Sequence, residues 1–166
     1  MKHTIVTALA FSLFATGVSA ENTPINGIVQ SKCSIYTSVQ GIYGNPTPNS
    51  LTTDAASGGV SPVIRYDVAQ GDYYLAKITW PNTFSSSPVL TDALDWQGTV
   101  SVSQVSDAAM SAYETNKIEY NNVTEFDLTA AGSVWFTVAS SIDYGFNKSF
   151  PSGNYASIVT AECIAK

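Results

Sequence analysis

Histidine is almost missing from this 166-residue chain, and the single one, His3, lies in a segment not expected to survive export. Residues 1–20 read as a secretory leader. Met1-Lys2-His3 is a short basic opening, residues 4–17 are an apolar stretch, and Val18-Ser19-Ala20 has the small residues of a leader cleavage site. The stretch is too short for a membrane span and lacks a stop-transfer flank. The mature chain is expected to begin near Glu21 and to be secreted or held at a cell surface, by way of the periplasm if the source is Gram-negative. Without histidine, residues 21–166 cannot build a Ser-His-Asp or Cys-His centre, a His-ligated zinc or an imidazole general base. Cations are scarce too. Lys2 leaves with the leader, so six of the 7 remain, scattered singly, against 13 carboxylates. That balance argues against binding a phosphate backbone, and no nucleic acid is expected as a partner. No cofactor and no catalytic role are expected either.

Cysteine is nearly as rare. The two, Cys33 and Cys163, permit one pairing, and in an exported protein an even count favours a disulfide over two buried thiols. It would tie the start of the mature chain to its end. Closing a loop of that size is worth ~5 kcal/mol on the chain-entropy model.

Helical periodicity is also scarce. Short alternating runs are punctuated by Gly, Pro, Ser and Asn, which is a β pattern. Strands are expected within residues 28–36, 60–68, 73–80, 96–105, 117–120, 123–128, 133–140 and 155–165. Residues 41–59, 82–95 and 141–154 are expected to be irregular. Pro62 should delay the second strand or place it at an edge. A helix of one or two turns is expected over residues 106–113, capped by Ser106. About seven main strands without crossover helices imply a single all-β domain, residues 21–166. Its expected form is an antiparallel sandwich of immunoglobulin-like Greek-key type, with first and last strands linked by the disulfide.

Few side chains suggest chemistry. Glu125 and Asp127 share a strand face at a spacing a glycosidase pair could use, but two solvated charges explain them as well. Asp92 and Asp95 lie in a loop, as the oxygen ligands of calcium often do, without the spacing of a known calcium loop. Asn122-Val123-Thr124 and Asn147-Lys148-Ser149 match the glycosylation sequon, by chance if the source is bacterial. Tyr73 and Trp135 fall opposite their strands' apolar faces, where flat rings can stack on sugars, unless loops cover that face. Tyr144, Phe146 and Phe150 stand in a polar loop.

The overall layout resembles bacterial pilin subunits of the chaperone–usher type, in particular the archaic and spore-coat-U-like branch. The features shared are the leader, an acidic sandwich rich in Ser, Thr, Gly and Ala, the tail E-N-T-P-I-N-G-I-V-Q-S-K before Cys33, and a final strand of the form G-x-Y at Gly153-Asn154-Tyr155. The resemblance implies assembly by strand donation, in which a tail fills the groove of a neighbouring sandwich. Ile25, Gly27 and Val29 would then be the inserted positions, with a frayed terminus as the alternative. Two features depart from the pilin pattern: the second cysteine is in the final strand, and the alternation before Cys33 is short. The expected function is thus a non-enzymatic structural or adhesive subunit of an extracellular assembly. Its partners would be copies of itself or other assembly proteins, and a periplasmic chaperone. A stand-alone carbohydrate-binding module using Tyr73 and Trp135 is the alternative, and a small secreted hydrolase using Glu125 and Asp127 the second.

Overall fold

The computed structural model describes Ile25, residues 32–145 and residues 147–166. The expected leader, Phe146, Gly27 and Val29 lie outside the described residues. Among the described residues no helix is long and apolar enough to cross a membrane. The elements, in order, are β1 (Cys33–Val39), β2 (Gly44–Thr47), β3 (Ser50–Thr52), β4 (Val63–Val68), β5 (Tyr74–Thr79), β6 (Leu94–Val105), α1 (Tyr113–Asn116), β7 (Ile118–Tyr120), β8 (Val123–Leu128), β9 (Gly132–Tyr144) and β10 (Thr160–Ala165). They form two antiparallel sheets. In the first, β9 pairs with β6 along one side and with β4 and then β3 along the other; β1 extends β4, and β2 extends β3. The second runs β10-β5-β8-β7. The order β1-β4-β9-β6 opposite β10-β5-β8 is the Greek-key arrangement of an immunoglobulin-like sandwich, as the strand pattern implies.

Period-two alternation builds the core. Ile64, Tyr66 and Val68 of β4 and Val134, Phe136 and Val138 of β9 point inward from the first sheet. Ala76, Ile78, Phe126 and Leu128 meet them from the second. Phe126 and Phe136 touch across the sheets, with ring centroids 4.3 Å apart. Tyr66 is fully buried, and its hydroxyl donates to the Glu162 carbonyl at 3.1 Å. Burial pushes that phenol well above its ordinary pKa.

Four local expectations need correction. The Gly- and Pro-rich stretch 41–59 is not wholly irregular: it holds the β2–β3 hairpin, in which the Asn45 amide donates to the Thr47 and Ser50 carbonyls. Strand β9 does not stop at Ser140. Its alternation continues through buried Ile142 and Tyr144, and Ser140 tolerates burial because its N–H donates to Thr53 Oγ1 and its carbonyl accepts the Thr53 N–H. The last strand is shorter than its pattern. It pairs with β5 only from Thr160 onward, because β5 gives way to Trp80 and Pro81, and proline has no N–H to donate. The helix in 106–116 is split into a 3₁₀ turn (Ala108–Met110) and α1. Its cap is Asp107, which accepts the Ala109 N–H, while Ser106 Oγ instead accepts the Ser133 N–H.

Below the level where the second sheet ends, loops cover the inner face of β6 and β9. Trp80 lies against Gly98 of β6, so closely that a Cβ there would come within 2.5 Å of the indole. Phe84 packs edge-on to Trp96, and Phe150 stacks on Tyr144 at 5.2 Å, so these loop aromatics form a secondary core. Gly98→Ala should therefore overpack the Trp80 site and destabilise the domain by about 1–3 kcal/mol. Urea unfolding of the variant should show a lower midpoint with an unchanged slope.

Candidate interaction groove

The disulfide joins Cys33 at the start of β1 to Cys163 in β10, with Cα atoms 6.4 Å apart. It links the edge strands of the two sheets. Both edges are bare beyond it. The Ala69 N–H donates to the Lys32 carbonyl, so hydrogen-bonded pairs with β4 fall at Lys32, Ser34 and Tyr36. The peptide groups of Cys33, Ile35 and Thr37 therefore point away from the sheet. On β10, the Lys166 N–H donates to the Tyr73 carbonyl, and the same alternation turns Ala161, Cys163 and Ala165 outward. None of these six has a hydrogen-bond partner on that side among the described residues. In immunoglobulin-like domains a further strand lies beside the position β10 occupies.

At the far end from the disulfide the two edges open on a cleft of about 650 Å³. Its walls come from distant parts of the sequence: Ile42 and Tyr43 after β1, Leu51 of β3, Val138 of β9, and Phe150 and Val159 before β10. Tyr43 spans the cleft, its hydroxyl 2.7 Å from Ser157 Oγ and 3.3 Å from Ser140 Oγ. Ile42 in the lining is 59% exposed, and Ile158, between the lining residues Ser157 and Val159, is 66% exposed.

The other edges are protected in part. Strand β7 has only three residues. Strand β6 is capped at Val100 and Val102 by side chains from α1 and the residue after it, while the outward peptide groups of Leu94, Trp96 and Gly98 have no such cap among the described residues. Glu114 Oε2 accepts the Val102 N–H at 2.7 Å, Lys117 Nζ donates to the Val100 carbonyl at 2.9 Å, and the two side chains pair at 2.8 Å. Together they do for this stretch of β6 what a neighbouring strand would do. Lys117 also reaches Glu119 at 3.0 Å. Burial raises the Glu114 carboxyl, but the bonds from Lys117 and the Val102 amide, with the lysine's charge, outweigh it and hold the group below its ordinary value. Burial lowers Lys117, and its bonds and charge pairing with Glu114 and Glu119 more than reverse this.

The residues singled out from sequence are dispersed. Cys33 and Cys163 meet as expected. Ile25 is exposed. Tyr73 and Trp135 do not form a common platform: Trp135 lies on the outer face of the first sheet, whereas Tyr73 adjoins β5 in the second and packs edge-on to Tyr74. The neighbours of Trp135 are Arg65, 5.9 Å above its ring, and beyond it Tyr36, whose ring lies 4.8 Å from the same guanidinium. Arg65 is held by Asp67 at 2.8 Å. Glu125 accepts the Tyr120 hydroxyl at 2.5 Å and Asp127 takes the Lys166 ammonium, both at the surface. Asp92 faces Lys148 at 3.7 Å. Among the described residues no three His, Cys, Asp or Glu side chains converge as metal ligands. The cleft residues Tyr43 and Leu51 carried no signal in sequence; of its lining, Val138, in step with Val134 and Phe136, and Tyr155 and Val159, in step with Ala161 and Cys163, follow from alternation. No family model, no curated protein and no solved structure matches the chain.

A carboxyl depressed on folding adds stability above its unfolded pKa and gives it up as pH falls through the folded one. Glu114 should behave so, from about pH 4.3 downward. Glu114→Gln should therefore lower the urea midpoint most at about pH 6, with the difference from wild type shrinking as pH falls below the unfolded value and the wild-type carboxyl takes up its proton.

Proposed function

We propose that the chain is a non-enzymatic structural or adhesive subunit of an extracellular assembly, joined to its neighbours by strand addition. The observation that carries this reading is the pair of unpaired edges, β1 and β10, lying side by side next to a cleft with apolar walls. The occupant is the segment of residues 21–32 from a second copy. Twelve extended residues reach at most ~40 Å, enough for one added strand. Its backbone would satisfy the outward amides, and alternate side chains, Ile25, Gly27 and Val29, would face the cleft. Burying an isoleucine and a valine contributes roughly 1.5–3 kcal/mol each, and Gly27 leaves room for a close backbone approach. An edge this open also calls for a covering partner before assembly, which is the role of a periplasmic chaperone in the systems the sequence resembles.

A second reading is favoured by one feature alone. Trp135, Arg65 and Tyr36 form a row on the outer face of the first sheet, and a ring of that kind can stack on a sugar. Under this reading Tyr73 takes no part.

Substituting Ile25→Asp and Val29→Asp together should convert an assembling protein to a monomer in size-exclusion chromatography and abolish filaments on cells. Wild-type protein that stays monomeric at high concentration, without filaments, would exclude strand addition. Glycan binding lost in Trp135→Ala but kept in the tail variant would support the second reading.

A further inference from the structure

We infer that the Cys33–Cys163 disulfide acts as a stop that limits how far along β1 and β10 an added strand can pair. The inference rests on the strand addition proposed above. A strand hydrogen-bonded to both edges needs them two strand spacings apart, about 9.6 Å at ~4.8 Å each. At Cys33 and Cys163 the Cα atoms are 6.4 Å apart, and a covalent bond holds them there. No strand can pair with both edges at that level. From the disulfide, β1 leads forward in sequence to Ile42 and Tyr43 and β10 leads backward to Val159 and Ser157, and all four residues lie at the cleft. The room for an added strand is thus closed by a covalent bond at one end, while at the other it is crossed only by the Tyr43 side chain, bonded to Ser157. This divides the outward-pointing peptide groups into two sets. Ile35, Thr37 and Ala161 lie on the cleft side of the disulfide; Cys163 lies at it and Ala165 beyond it. An incoming strand fits by sliding its alternating side chains toward the cleft until it meets the sulfur bridge. That contact selects one register among those a short, weakly alternating tail would otherwise permit.

Amide hydrogen exchange tests this on the mature, disulfide-bonded protein, with and without a synthetic peptide of residues 21–32. The expected result is exchange slowed by at least about tenfold at Ile35, Thr37 and Ala161, with Cys163 and Ala165 unchanged. In the double variant C33S/C163S the slowing should spread to positions 163 and 165. Slowing at Cys163 or Ala165 in the disulfide-bonded protein, or a folded double variant in which it does not spread, overturns the stop and leaves strand addition standing. No slowing at any of the five amides removes strand addition itself, and the stop with it. If the double variant does not fold, the disulfide-bonded protein alone decides.

Discussion

Strand β9 must be hydrogen-bonded on both sides over most of its thirteen residues, and the fold is arranged around that requirement. One side is met by β6 alone. The other is met first by β4 and then by β3, which lie end to end. With both sides paired, the inward residues from Val134 to Tyr144 can be buried without stranding a peptide group. They form the wall against which the second sheet and the loop aromatics pack. Thr53 and Ser140 show how strict the condition is. Where regular pairing with β3 ends, side-chain and backbone bonds between these two residues carry the pairing on.

The same requirement is met in different ways at the margins. Over part of β6 a carboxylate and an ammonium replace a missing neighbour, one as acceptor and one as donor, and neutralise each other. At β7 shortness suffices. Along β1 and β10 neither device is present, and the bare peptide groups lie beside exposed Ile42 and Ile158. Two adjacent edges left open side by side make this the surface where extended backbone could be held from both flanks at once.

Much of this was legible beforehand. Short alternating runs located the strands that became β4, β5, β8 and β9, and the cysteine count gave the inter-strand link. Misreadings arose where tertiary partners overrode local pattern. Residues 155–159 alternate like a strand but have no β5 opposite them. Ser141 looks like the start of a loop but sits mid-strand, because the pairing runs on past Ser140, whose polar groups Thr53 satisfies. The β2–β3 hairpin was hidden by Pro46 and Pro48, which it tolerates through the Asn45 side chain. The groove as a whole had no local signature. Tyr43 and Ser157 are far apart in sequence, and their hydroxyls meet only after both sheets close. The positions of Tyr73 and Trp135 show a related gap: alternation tells which face a ring takes, not which sheet, and Trp135 lies in the first sheet while Tyr73 adjoins the second.

The disulfide spans 130 positions, so nearly the whole described domain is a covalent ring with the residues before Cys33 as a tether. Tension applied to that tether reaches the sulfur bridge at once and passes directly into β10. It need not unzip β1 from β4, and the length hidden inside the ring cannot be drawn out by force from that end.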